Sequence, residues 1–215
     1  MPAPFDAVIF DLDGTLIDTE SLCNQAGVDA CTALGLPVDL AFFEGLAGID
    51  DVNRVRLISA HIGADLSQAA FLAIWDRLCR VRFAAGIPLK SGAVALLERL
   101  QSAGLPLALA TSSRRDMAHD KLVHAGLARF FPVVITFDDV SLPKPAPAPY
   151  LLAACRLNAA PARCVVFEDS ETGARAAWDA GMTVVQVPDL HPATGDFAHH
   201  VAGSLFQGAA AVGLP

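Results

Sequence analysis

Asp11 and Asp13 stand two residues apart, directly after the apolar run Ala7-Val8-Ile9-Phe10, and Gly14-Thr15 comes next. Side chains two apart on an extended chain point the same way. Two close carboxylates repel, and one takes up a proton unless a cation intervenes. A hard divalent ion with oxygen ligands, Mg2+ above all, relieves that repulsion. Asp-Gly is also a common turn dipeptide, so the stretch alone fits a pair of solvated turn acids equally well.

Which reading holds depends on the elements that position these residues. A short, wholly apolar, β-prone run reads as a buried parallel strand, covered on both faces by helices. Four more runs read as buried strands after residue 85, at 105–110, 132–136, 164–167 and 183–187, with helical periodicity between them. This alternation predicts an α/β fold, a Rossmann-like three-layer core around a parallel sheet. From Leu16 to Ala85 no strand is evident. Helices are expected at 17–35, 39–44, 50–61 and 67–83, the last capped by Ser67. The domain expectation is therefore a core of residues 1–16 and 87–215 with an inserted α-helical cap domain, 17–86. The tail from Leu190 is expected to add one short strand or helix.

Right-handed βαβ connections bring all strand ends to one edge of the sheet. The residues just past each strand then share that edge: Asp11 and Asp13; Thr111, Ser112 and Ser113; Lys144 between Pro143 and Pro145; Glu168 and Asp169. Singly, the hydroxyls also fit a helix cap, the lysine a solvated loop, and the last two acids a helix first turn. Together they offer carboxylates for a metal, hydroxyls for anionic oxygens and one ammonium, the requirements of phosphoryl transfer.

Phe-Asp-Leu-Asp-Gly-Thr-Leu, Thr-Ser-Ser, Lys-Pro-Ala-Pro and Phe-Glu-Asp-Ser-Glu-Thr-Gly resemble the four motifs of the haloacid dehalogenase-like hydrolase superfamily. The helical insertion after the first motif resembles the subgroup with a small helical cap, which includes sugar-phosphate phosphatases, phosphoglycolate phosphatases and β-phosphoglucomutase. The resemblance implies that Asp11 is the nucleophile forming an aspartyl-phosphate and Asp13 the general acid/base. It implies that Thr111, Ser112 and Lys144 bind the phosphoryl group. Asp11, the Asp13 carbonyl, Glu168 and Asp169 would hold Mg2+. Dehalogenases of the superfamily typically lack the second aspartate of the first motif, so Asp13 favours phosphoryl chemistry. The expected activity is a Mg2+-dependent phosphatase of small phosphate monoesters, sugar phosphates first. A phosphosugar mutase and a catalytically idle binding or regulatory protein are the alternatives.

Two positions depart from the pattern. Where β-phosphoglucomutase uses a cap arginine to grip a second phosphate, this chain has Asp51, which weakens the mutase reading; Arg54 or Arg56 stands one turn on as a substitute. Ala148 replaces a frequent aspartate after Lys-Pro-x-Pro. Glu20 and Asn24, with Asp18 near the hinge, and Arg114 across from them are the expected substrate contacts, each also compatible with a solvated face. Six histidines show no metal-ligand spacing, and Trp75 and Trp178 are expected in the core.

The 215 residues are 53% hydrophobic with a net charge of −8, ample for a core and opposed to a general nucleic-acid or membrane-surface binder. The start carries no basic n-region, and no apolar run is long enough to span a bilayer. Five scattered cysteines without a Cys-x-x-Cys pair read as reduced thiols of a cytoplasmic protein. A monomer is the expected state, with a small phosphorylated metabolite as partner.

Overall fold

The computed structural model describes residues 5–46, 49 and 51–215. Ala47, Gly48 and Asp50, in the stretch compared above with the mutase, lie outside the described residues. The chain divides into two compact units, Met1–Ile17 with Pro88–Pro215, and Asp18–Ile87.

Strands β1 (Ala7–Phe10), β2 (Leu107–Ala110), β3 (Val133–Ile135), β4 (Cys164–Glu168), β5 (Thr183–Gln186) and β6 (His200–Val201) form one sheet in the order β3-β2-β1-β4-β5-β6. Every pairing is parallel. The chain builds outward from β1 through β2 to β3, then returns to the other flank of β1 with β4. The order therefore reverses at β1, and the carboxyl ends of β1 and β4 border the switch point where open α/β sheets bind ligands.

The helical unit contains α1 (Glu20–Ala33), α2 (Leu40–Glu44), α3 (Asp51–Ile62) and α4 (Gln68–Ala85). Asp39 accepts from the Phe42 amide and Ser67 from the Ala70 amide, so α2 and α4 start on side-chain caps. Phe43, Phe71 and Trp75 stack in series through its core. Gly27 permits that packing, since a Cβ there would lie 2.2 Å from the Phe43 ring. Trp75 Nε1 donates to the Cys23 carbonyl at 2.8 Å, tying α4 to α1.

In the α/β unit, α5 (Ala93–Ser102), α6 (Arg115–His124), α7 (Ala148–Arg156), α8 (Glu171–Asp179) and α9 (Leu205–Ala211) accompany the sheet. Ala7, Ile9, Ala108, Ala110, Val166 and Val184 cluster with Tyr150, Ala153, Ala154, Ala174, Ala176 and Ala177, so α7 and α8 cover one face. The other face carries Phe10 stacked on its register partner Phe167, with ring centroids 4.9 Å apart. There α9 comes so close that a Cβ at Gly208 would lie 2.4 Å from Val185. Three layers result, as the alternating pattern predicts.

The tail forms both a short strand, β6, and a helix, α9. Trp178 is not core: it is 42% exposed and lies tilted against His199. Trp75 is buried as expected. All five cysteines are free thiols. Among the described residues, no helix is long and apolar enough to cross a membrane.

Candidate active site

The site begins where β1 stops. The Asp11 amide donates to the Phe167 carbonyl at 2.9 Å, so strand pairing carries through to the first acid and fixes its backbone beside the end of β4. Asp11 is 7% exposed and Glu168 fully buried. Between them stands the Lys144 ammonium, donating to Asp11 Oδ1 at 2.7 Å and Glu168 Oε1 at 2.6 Å. The loop lysine of the sequence is thus a buried cation bridging two strand ends.

Glu168 is held from all sides. Tyr150 Oη donates to Oε1 at 2.6 Å, while the Asp169 and Ser170 amides and Ser170 Oγ donate to Oε2. Ser170 also caps α8 by accepting from the Gly173 amide. Glu168 therefore lies against the positive end of α8, where a carboxylate is favoured. Gly173 is the residue that admits it: a Cβ there would sit 1.7 Å from Glu168 Oε1. Gly173→Ala is expected to expel the Glu168 carboxylate, lowering both melting temperature and turnover. An unchanged melting temperature and turnover would show that the close approach is unimportant.

Asp169 completes the cluster. Thr15 Oγ1 donates to its Oδ1 at 3.4 Å. Gly14, at φ +84°, leaves room for its carboxylate, since a Cβ there would fall 2.3 Å from Oδ2. Asp11, Glu168 and Asp169 each offer an oxygen within 4.8 Å of the others. Were all three carboxylates ionised, one ammonium would leave two negative charges uncompensated in a buried volume. Burial, with the neighbouring acids and against the pull of Lys144, raises Asp11 to about 8. Burial, with the Glu168 and Asp11 carboxyls beside it, raises Asp169 to about 9. Lys144 stays charged because Asp11 and Glu168 outweigh its desolvation. One divalent cation would cancel the surplus, and an all-oxygen donor set suits a hard ion such as Mg2+.

These shifts make a prediction. The folded chain keeps protons on Asp11 and Asp169 that the unfolded chain, with ordinary values of 3.8, has already released. Their contribution to stability is therefore lost as pH rises from about 4 to about 9. Without metal, the melting temperature is expected to fall between pH 6 and pH 9. Mg2+ should raise it more at pH 9, where fewer protons compete for the oxygens. Equal Mg2+ shifts at the two pH values would contradict binding at this cluster.

Asp13 belongs to a second, adjoining network. Its carboxylate accepts from Lys121 Nζ at 2.7 and 2.8 Å and from Ser113 Oγ at 3.0 Å. Thr111 is buried and accepts the Ser113 amide on Oγ1 at 3.0 Å, shaping the turn after β2, on which Ser112 is exposed. Arg114 is the N-cap residue of α6. Glu20 and Asn24 lie on the first turns of α1 in the helical unit, and Asn24 is buried. Arg54 is committed within that unit: it pairs with Asp51 at 3.1 Å and lies over the Trp75 ring.

The structure thus gathers Asp11, Lys144, Glu168 and Asp169 into one bonded cluster and sets Asp13 beside Ser113. Sequence reasoning missed Lys121, Tyr150 and the two glycines. Lys121 carried a visible sign, because it shares the apolar face Met117, Ala118, Leu122 of α6, where a lysine requires a partner.

The sequence pattern of the haloacid dehalogenase-like hydrolases matches residues 5–181. A fructose-1-phosphate phosphatase of Escherichia coli K12 is 33% identical over 85% of this chain and 96% of its own length. A validoxylamine A 7′-phosphate phosphatase of Streptomyces hygroscopicus subsp. limoneus is 34% identical over 88% of each chain. Among solved structures, CbbY from Rhodobacter sphaeroides, crystallised as a mutant with xylulose-(1,5)-bisphosphate, superposes with a TM-score of 0.83 at 28% identity, covering 93% of this chain and 94% of that one.

Proposed function

The chain belongs to the haloacid dehalogenase-like hydrolases, and from that premise we propose that it is a Mg2+-dependent phosphatase of small phosphate monoesters, sugar phosphates foremost. The observation that carries the reading is the buried Asp11–Lys144–Glu168–Asp169 cluster, in which three carboxylates face a single ammonium. Relatives named for phosphorylated carbohydrates support the substrate class.

In this reading an Asp11 carboxylate oxygen attacks phosphorus, and the ester oxygen leaves with a proton from Asp13. The resulting aspartyl-phosphate is then hydrolysed by a water that Asp13 deprotonates, releasing phosphate and restoring Asp11. Splitting one difficult displacement into two easier ones is the gain of a covalent carboxylate nucleophile. Lys144 holds Asp11 Oδ1 and neutralises oxygens of the transferring group, and Glu168 keeps Lys144 in place. Thr111, through the turn it shapes, and Ser112 receive the other phosphoryl oxygens. Asp11, Asp169 and the Asp13 carbonyl would hold Mg2+, with Glu168 behind them; the ion would let two anions approach each other. Residues 17–86 act as the cap that selects the substrate, with Glu20, Asn24 and Arg114 as contacts. The enzyme works as a monomer in the cytoplasm, where five free thiols stay reduced.

The test is phosphate release across a panel of sugar monophosphates and p-nitrophenyl phosphate, with Mg2+ and with excess chelator. Turnover of several sugar monophosphates, lost on chelation and restored by Mg2+, is expected. Undiminished turnover under chelation, or none on the whole panel, would overturn the reading.

A further inference from the structure

We propose that Lys121 is a positioning residue that, with Ser113, fixes where the Asp13 carboxyl stands, and so sets how well the enzyme expels poor leaving groups. The inference rests on the phosphatase reading above and goes beyond its catalytic set.

Lys121 lies on the inward face of α6, 6% exposed, among Met117, Ala118 and Leu122. Burying an ammonium there is costly unless it is paired and hydrogen-bonded. Its Nζ donates to Asp13 Oδ1 at 2.7 Å, to Asp13 Oδ2 at 2.8 Å and to Ser113 Oγ at 2.8 Å. Ser113 Oγ in turn donates to Asp13 Oδ2 at 3.0 Å. The one ammonium spans both oxygens of the carboxyl, so it can hold one of them while the other carries the proton toward the ester. The grip comes from the turn after β2 and from α6, and Ser113 is itself tied by its amide to Thr111 Oγ1. Buried ion pairs are weak stabilisers compared with apolar residues of the same size. A lysine kept on an apolar helix face, closed onto the one carboxyl that must move protons, is better explained by the placement of that carboxyl.

A proton donor matters most when the leaving group is a poor one. Alkoxides, such as those of sugars, need the proton as the ester bond breaks, whereas p-nitrophenolate leaves without it. For kcat/KM, which reports the first chemical step, the consequence is selective. Lys121→Met is expected to lower kcat/KM by about 10- to 100-fold for the sugar monophosphate that wild type hydrolyses fastest, a fraction of the 10²–10⁴ that general acid–base catalysis supplies. The value for p-nitrophenyl phosphate should stay within about threefold. Lys121→Arg, which retains a cation, should recover part of the loss. In an Asp13→Asn background, Lys121→Met should cost nothing further, since the carboxyl it holds is gone.

Wild type and Asp11→Asn run alongside: a wild type inactive on both esters condemns the phosphatase reading, not the role of Lys121. With wild type active, three results overturn the proposal. These are an equal loss on both esters, a rise in KM for both that marks Lys121 as a direct phosphate ligand, or additive losses with Asp13→Asn. If Lys121→Met does not fold, Lys121→Gln gives the same comparison of the two esters.

Discussion

Asp11→Asn is expected to lower turnover of p-nitrophenyl phosphate and of sugar monophosphates by about 10⁴-fold or more, the scale on which loss of a covalent nucleophile acts. The substitution is nearly isosteric. Its amide oxygen can still accept from Lys144, and the backbone bond from residue 11 to Phe167 is untouched. It also removes one of three carboxylates crowded around a single ammonium. The metal-free variant should therefore melt no lower than wild type, and higher above pH 8, where Asp11 would otherwise have to ionise in its buried site. Phosphate release and a melting curve on the same sample check both parts. Activity within tenfold of wild type would remove Asp11 from the role of nucleophile.

Lys144→Met is expected to cost both activity and fold. The side chain is 3% exposed and contacts two carboxylates that are themselves buried. Removing the cation leaves Asp11, Glu168 and Asp169 without their shared counter-charge, and breaking a buried pair in this way costs about 3–5 kcal/mol. For a chain of this size, that corresponds to a fall in melting temperature on the order of 10 °C. Turnover should drop by about 10²–10³-fold or more, the range seen when one donor to a developing anion is lost. Lys144→Arg should not rescue it, because a planar guanidinium does not fit the space between two strand ends occupied by a single Nζ. The metal-free protein should show the larger melting shift, since Mg2+ replaces part of the missing charge. An unchanged melting temperature in chelator would show that the pair carries no stability.

How far the sequence announced all this depends on whether the signal was local. β1 to β5 were legible because each centres on a short apolar, β-branched or aliphatic run between punctuating residues, and α4 because Ser67 marks its start. Asp11, Lys144, Glu168 and Asp169 were legible as occupants of strand ends. Their bonding was not, since nothing in the run of residues says that Lys144 reaches both Asp11 and Glu168. Trp178 misled because an aromatic residue at helical spacing was read as apolar-facing, while α8 ends near the sheet margin and leaves it over His199. Lys121 escaped because its partner lies on another element and a single lysine does not break a helical pattern. Gly14 and Gly173 read as turn and helix glycines; only the side chains folded against them show why they have none. Arg54 shows the converse: a phosphate ligand on paper, it is already held by Asp51 and Trp75.

The placement of β1 also governs the order in which the protein can be made. Of the described strands it is the first to be synthesised, and it is paired on both flanks. Val8 pairs with Leu107 on one side and with Val165 on the other. Its four apolar residues must therefore wait while the whole helical unit, β2 and β3 are synthesised before their second neighbour, β4, is made. The helical unit, contiguous in sequence, can form in the meantime. The Asp11 cluster draws on residues 11, 144, 168 and 169 and can assemble only after β4 docks. Folding dominated by such distant pairings is slow and leaves apolar strands exposed to other nascent chains. Nascent chains stopped before Cys164 would accordingly hold β1 and its aspartates without the partner that shapes them.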